Sequence, residues 1–398
     1  MPRRSSISRD CILALAIFVA ASAGCSDQDP VDTPPVDDKT LWTVRAGGGG
    51  DFTDLQDGVN AASDGDTVLV GPGRYSHVAT GRVGGVPKVF ALYVGAPSRA
   101  RSKDVTLIAE AGPDSTIIGG ETVVDFSIVF EHTPGGLLSG FTIDGGGNGG
   151  VFLFDSDAQI TGNRFVNSTD AVCADGGALT LRANHLVGNV YGVKSDGTTI
   201  TTQRNLFEDN AVNGMSLASS TVTMRGDTVR ASGRSGLSFT NSGVTAEEIL
   251  IEGSGQAACD LTDATLALTR STIILNGRAV GDPHDGITLS NASSRLTAES
   301  TIIAHSGGCG VRVYAGIATL TCCDLWDNLG GDGGGDCVAA GTNGTFAMNP
   351  LFCDLDARDY RLRADSPCAP ENSGACGQIG AYPVACEADS AAAPPRIR

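Results

Sequence analysis

The sequence predicts an all-β fold: a right-handed parallel β-helix solenoid with a short N-terminal helical cap and a Cys-rich C-terminal cap. Three observations predict it. First, a small residue followed by an apolar one recurs in phase: Gly150-Val151, Ala171-Val172, Gly192-Val193, Gly214-Met215, Gly236-Leu237, Ala258-Cys259, Gly286-Ile287 and Gly310-Val311. The intervals are 21, 21, 22, 22, 22, 28 and 24 residues, and self-similarity at such a period makes each repeat one structural rung. Second, an apolar stretch follows at a fixed offset, as in Ile160–Phe165, Leu181–Leu186, Met224–Val229, Leu268–Ile273, Ala298–Ile303 and Leu320–Leu325. These alternate apolar with polar residues and are rich in Thr, Val and Ile, which suits half-buried strands. Third, small polar residues recur between the strands: Asn163, Asn184, Asn205, Asp227, Ser271, Ser300 and Asp324, then Asn167, Asn189, Asn210, Ser232, Asn276 and Asn328. Asn and Asp tolerate left-handed backbone at bends, and stacked amides can ladder between coils. A leucine-rich repeat would need its own Leu-x-x-Leu-x-Leu phrase, and a β-sandwich gives no reason for a constant phase.

Residues 1–24 read as a signal peptide. Arg3, Arg4 and Arg9 precede an apolar run from Ile12 to Ala21 that is too short to span a bilayer. Two cleavage readings stand. Ala21-Ser22-Ala23 suits ordinary signal peptidase, whereas Ser22-Ala23-Gly24-Cys25 resembles the bacterial lipoprotein box, with Ser22 where that box prefers Leu. The Pro- and Asp-rich segment behind Cys25 has almost nothing to bury, so 25–40 reads as a tether and favours lipidation of Cys25. Ser26 after the Cys resembles outer-membrane sorting. The expectation is an exported, monomeric chain of the cell envelope, held at the outer membrane or cell surface by a lipid.

Residues 41–145 are expected to form the N-terminal cap and first coils. Asp51 is a candidate helix N-cap; Phe52, Leu55, Val59 and Ala62 share one side of a short helix, and Thr67–Val70 is a strand. Such a helix covers the apolar cross-section that a solenoid exposes at its end. Residues 146–330 are the regular coils. Residues 331–386 form the Cys-rich cap and 387–398 a disordered tail. Eight cysteines lie between Cys309 and Cys386, and in an exported chain they read as disulfides of undetermined connectivity. Cys173 and Cys259, four rungs apart, read as small buried core residues.

The net charge of −18 argues against nucleic acid and anionic lipid as partners, which need a basic face. Gly330-Gly331-Asp332-Gly333-Gly334-Gly335-Asp336 occurs once and out of phase with the rungs, so it reads as a loop, and no cofactor is expected; Ca²⁺ has no stacked turns to support it.

The run Gly50-Asp51-Phe52-Thr53-Asp54-Leu55-Gln56, the Val68-Leu69-Val70 strand and Gly71-Pro72-Gly73-Arg74-Tyr75 resemble the N-terminal cap of the pectin-lyase-like superfamily. Gly140-Phe141-Thr142-Ile143 resembles the opening phrase of bacterial right-handed β-helix repeat proteins. Asn349-Pro350-Leu351-Phe352, Asp359-Tyr360-Arg361-Leu362 and Ile379-Gly380-Ala381-Tyr382 resemble the closing segment of exported members. The resemblance implies the fold; the superfamily hosts lyases, hydrolases, esterases, epimerases and adhesins, so it does not choose a function. The catalytic sets of pectin methylesterases, polygalacturonases and pectate lyases cannot be assembled in register. The longest interval ends in Gly281-Asp282-Pro283-His284-Asp285-Gly286, which resembles the Asp-Pro-His-Asp core of mannuronan C5-epimerases and related alginate lyases. The resemblance implies that His284 is an acid/base and Asp282 positions it, although Ala279-Val280 stands where that family has Tyr-Gly. The functional expectation is a non-catalytic, carbohydrate-binding or adhesive envelope lipoprotein. The alternative is a polysaccharide-active enzyme, a uronate C5-epimerase or polysaccharide lyase.

If Cys25 carries the lipid, Cys25→Ala should move the chain from the membrane to the soluble fraction on cell fractionation. A variant that stays with the membrane would sink the anchor.

Overall fold

The computed structural model describes residues 40–96, 103–120, 124–278, 281–331 and 336–388. The expected signal peptide, Cys25, the tether up to Lys39 and the tail from Asp389 lie outside the described residues. The chain is a right-handed parallel β-helix whose rungs contribute to three parallel stacks of strands. The first stack includes Tyr191–Asp196, Asn213–Ala218, Leu237–Thr240, Cys259–Thr262, Ile287–Leu289 and Val311–Val313. The second includes Thr199–Gln203, Thr221–Arg225, Gly243–Glu247, Thr265–Thr269, Arg295–Glu299 and Ile317–Thr321. The third runs from Gly73–Tyr75 through Thr116–Gly119 and Thr142–Asp144 to Asp324–Trp326. Gly149–Thr161 and Asp170–Arg182 pass through the first and second stacks without a break.

The recurring apolar residue is the register mark. Val151, Val172, Val193, Met215, Leu237, Cys259, Ile287 and Val311 are successive partners and all are fully buried, as their spacing predicts. Phe165, Leu186, Phe207, Val229, Ile251, Ile273, Ile303 and Leu325 form a second buried row on the third stack. Each such side chain contributes about 2 kcal/mol relative to exposure.

The corners explain why polar residues recur. At the turn into the third stack one residue per rung is left-handed: Ala183 at φ 52°, Arg204 at 54°, Glu248 at 57°, Arg270 at 44° and Ser300 at 49°. The residue after it turns its side chain inward to the rung below. Asn163 N–H donates to Asn184 Oδ1 at 2.9 Å, Asn184 N–H to Asn205 Oδ1 at 2.9 Å, and Asn205 N–H to Asp227 Oδ1 at 2.7 Å. The corner leaving the third stack repeats the device, with Ser168 N–H to Asn189 Oδ1 at 3.0 Å and Ser306 N–H to Asn328 Oδ1 at 3.0 Å. Three expected ladder members sit one residue off. Ser300 and Asn167 are the left-handed residues, with Thr301 and Ser168 in the ladders behind them, and Asp324 opens a strand after Cys323. A third ladder, Thr198, Ser220 and Ser242, links the first corner.

The N-terminal helix is Leu55–Ala61, and Leu55, Val59 and Ala62 are buried in the core. Its N-cap is Asp54, which accepts from the Gln56 and Asp57 N–H groups, rather than Asp51. Asp51 instead accepts from Thr43 N–H and Oγ1, both at 2.8 Å, pinning the loop to the first strand. Lys103 Nζ donates to the Val59 and Ala62 carbonyls at 2.6 Å each and so satisfies the helix C-terminus.

An antiparallel hairpin, Ala79–Val83 with Val86–Gly95, packs Val83 and Phe90 with Phe126 and Val129. Cys173 packs against this cluster on the outward side of the first stack, so of the pair Cys173 and Cys259 the former is half-buried on the wall and the latter is in the core. The disulfides are Cys309–Cys337, Cys322–Cys376 and Cys353–Cys386; Cys323 and Cys368 stay reduced and buried. The cap lies along the outer wall of the third stack, where Tyr360, Leu362, Cys368 and Ile379 bury Leu250, Ile274, Ile302 and Ala304.

Asp227 is the acid in an amide ladder. Burial holds its carboxyl above the ordinary Asp range although Thr202 and Asn205 donate to it. The folded chain therefore binds this proton more readily than the unfolded chain, and its contribution to stability falls as pH rises from near 4. Asp227→Asn keeps the Oδ1 acceptor for Asn205, turns the Thr202 hydroxyl from donor to acceptor, and removes the buried charge. It should raise the unfolding free energy at pH 7 by on the order of 1 kcal/mol, with the gain vanishing as pH falls through 4. A destabilised variant at pH 7 would contradict this account.

Candidate functional site

Between Ile274 and Ile287 no described residue is in a strand. The segment leaves the wall at Gly277 and returns at His284, where His284 N–H donates to the Gly277 carbonyl at 2.8 Å and Gly308 N–H donates to the His284 carbonyl at 2.6 Å. The described residues between Gly277 and His284 therefore add no strand to the stacks, and the chain is pinched where they leave and rejoin the wall. Ala279 and Val280 lie outside the described residues.

At that base the structure brings the two sequence candidates together. His284 Nε2 lies 3.1 Å from Asp282 Oδ2, with the imidazole about one-third exposed and the carboxylate mostly exposed. Asp285 points the other way and is buried. It accepts from Cys309 N–H at 2.7 Å and from Arg312 Nε at 2.8 Å, and this carboxylate raises the Arg312 guanidinium above its ordinary range. The guanidinium also sits 5.5 Å over the exposed ring of Tyr314. Arg312 thus reaches the loop base from the rung above, but its charge goes to Asp285 rather than to Asp282.

One acid escaped sequence reasoning. Asp260 is half-buried, and burial lifts its carboxyl above the ordinary Asp range; the Ser235 hydroxyl donates to it, and His284 pulls it back down. The signal was positional: Asp260 follows the inward Cys259, so it must face outward in the same register as Arg312.

That register defines a row on the outer face of the first stack: Phe152, Cys173, Lys194, Ser216, Ser238, Asp260, Thr288 and Arg312 are successive partners. At its aromatic end Phe126 and Phe152 stack at 4.6 Å, and Lys194 Nζ lies 5.3 Å over the Tyr191 ring. A cavity of about 380 Å³ opens here, lined by Phe152, Cys173, Lys194, Asp196 and Thr240. Burial pushes the Cys173 thiol up to about 12, so it is protonated and no nucleophile at neutral pH. Among the described residues no group of three or more His, Cys, Asp or Glu side chains could hold a metal ion.

Residues 194–349 match the family model described as right handed beta helix region, less than half of the chain. No curated protein matches the sequence. Among solved structures, pectate lyase Pel9A superposes with a TM-score of 0.57 at 12% identity over 87% of this chain and 97% of that one. The A-module of the Azotobacter vinelandii mannuronan C-5 epimerase AlgE4 gives 0.44 at 16% identity over 69% and 84%. A rhamnogalacturonan lyase gives 0.42 at 11% over 80% and 92%. At these identities the likeness is one of fold.

The two neighbouring residues of the loop base should respond differently to truncation. His284→Ala removes a partly exposed side chain and should change stability by no more than about 0.5 kcal/mol. Asp285→Ala strands Arg312 and the Cys309 N–H and should cost about 3 kcal/mol. Equal losses in chemical denaturation would show that the loop base is held by other contacts.

Proposed function

We propose that this chain is a non-catalytic, lipid-anchored β-helix of the bacterial cell envelope that holds a polysaccharide along the outer face of its first strand stack. The observation that carries this reading is the unbroken outward row from Phe152 to Arg312. Rungs repeat about every 4.8 Å, so the row presents one side chain per step to a ligand that is itself linear. Its chemistry suits a glycan: an aromatic end, then lysine, hydroxyls, an acid and an arginine, which offer apolar surface with few polar groups for orientation. The absence of catalysis is supported by the way the charges are spent on each other. Arg312 is neutralised by Asp285, Asp260 is held by Ser235, and Asp282 is the partner of His284.

The second reading is an enzyme acting on a polyuronate, an epimerase or lyase. The observation that favours it is the Asp282–His284 pair beside Asp260, an acid held toward its protonated form. Proton abstraction and return need a base within hydrogen-bond reach of the substrate proton and a second titratable group nearby.

One set of measurements separates them. The full mature chain is incubated with neutral glycans and with polyuronates while binding, unsaturated products and uronate epimerisation are followed. The binding reading expects retention of a glycan, roughly fivefold weaker in Lys194→Ala or Asp260→Ala and unchanged in His284→Ala. Turnover that disappears in His284→Ala would replace the binding reading by the enzymatic one.

A further inference from the structure

The C-terminal cap makes a second cleft, against the third strand stack rather than the first. The strands Thr228–Arg230 and Leu250–Glu252 supply one wall, and the turn and strand at Arg358–Arg361 together with Tyr382 supply the other. Its volume is about 230 Å³, below the roughly 300–1,000 Å³ of pockets for drug-sized ligands.

Its polar groups are arranged unusually. Glu252 is only 4% exposed and holds Arg358 Nε at 3.0 Å. Arg230 reaches Glu208 at 3.6 Å through one terminal nitrogen, and Arg361 is forked onto Asp359 at 2.7 and 2.6 Å. Three guanidiniums therefore meet three carboxylates, and the cleft is close to neutral within a strongly acidic chain. Two polar atoms are left over. Arg230 Nε is buried with no hydrogen-bond partner, and Tyr360 Oη, on a side chain only 3% exposed, has the Glu252 carboxylate beside it but no well-aligned bond. Burial, with Glu252 adding to it, raises the Tyr360 phenol above its ordinary range, so it keeps its proton to donate. A buried donor without an acceptor is destabilising, and such a group calls for a partner.

We propose that this cleft binds one neutral sugar ring, such as the terminal residue of a glycan. Arg230 Nε–H and Tyr360 O–H donate to sugar hydroxyl oxygens, and Glu252 accepts from a hydroxyl. The half-buried ring of Tyr382, beside Leu250, lies against the apolar face of the sugar. A neutral polyol satisfies both kinds of group, whereas an anionic ligand would bring a fourth negative charge against the buried Glu252. The site exists only because the cap docks on the wall: Gly380 N–H donates to the Ser300 carbonyl at 2.8 Å and Ala381 N–H to Thr272 Oγ1 at 3.0 Å, which place Tyr382.

The test is calorimetric titration of the full mature chain with galactose, glucose and N-acetylglucosamine, and with galacturonate and acetate as anionic arms. At least one neutral sugar should bind in the millimolar range or tighter, and Tyr360→Phe and Arg230→Lys should each weaken it about tenfold. Tyr360→Phe keeps the buried ring; should it unfold, Arg230→Lys, on a partly exposed side chain, carries the test alone. No neutral sugar binding, tighter binding of galacturonate or acetate, or unchanged affinity in the folded variants would each overturn the proposal. Lys194→Ala should leave this binding intact, so failure here is distinguishable from failure of the outward row.

Discussion

Every rung of this protein hands its backbone hydrogen bonds to the rung before and the rung after, and that constraint governs the rest of the structure. A parallel strand cannot satisfy its own N–H and C=O groups, so each rung must return to the same phase after one circuit. The left-handed residues at Ala183, Arg204 and Asp209 turn the chain within one residue, and Asn184, Asn189, Asn205 and Asn210 bind the turns to each other. The inward rows are apolar because strict phase leaves those positions no water. A left-handed residue other than glycine is unfavourable by roughly 1–2 kcal/mol, and the ladder beside it offsets that with hydrogen bonds repeated at every rung.

Because phase cannot be broken inside the coil, extra residues can only leave it. The hairpin at Ala79–Val83 and Val86–Gly95, the loop closed by Gly277 and His284, and the cap after Asp336 are all additions to the outside of an unbroken stack. This is also where the chemistry sits. The loop delivers Asp282 and His284 next to Asp260 and Arg312, and the cap delivers Tyr360 and Tyr382 next to Arg230 and Glu252. The coil supplies a rigid lattice of positions, and the excursions supply second walls.

The division between what was legible in the sequence and what was not follows the same line. The inward row from Val151 to Val311 was legible because one error in phase would have flipped every later side chain, so eight repetitions constrain each other. The ladders were legible to within one residue. At some rungs the neighbouring left-handed residue is itself Asn or Ser, so composition alone does not separate Asn167 from Ser168 or Ser300 from Thr301. Asp51 and Asp54 were confused likewise, since both are acids that accept backbone N–H groups near one helix start. The hairpin, the docking of the cap on the third stack and the outward position of Cys173 were not legible, because they depend on how aperiodic segments meet the wall.

The candidate site was half legible, and the missing half is instructive. Asp282 and His284 carry a local motif, whereas Asp260 carries none; it becomes chemically distinct only because Ser235, His284 and Asp285 surround it from neighbouring rungs. In a solenoid, residues that work together are separated by one period in sequence, not by a few positions, so short motifs underreport sites by construction. The outward row shows the converse. Lys194, Ser216, Ser238, Asp260, Thr288 and Arg312 look unrelated at intervals of 22 to 28 residues, yet register makes them a line of neighbours. Under the proposed binding mode a ligand running along the coil would read that line, and its selectivity would depend on which polar groups the line leaves free after Asp285 has taken Arg312 and Ser235 has taken Asp260. On the proposed glycan-binding reading, Lys194, whose ammonium rests on the Tyr191 ring rather than on a carboxylate, is the group of the row best placed to orient a chain of sugars against its aromatic end.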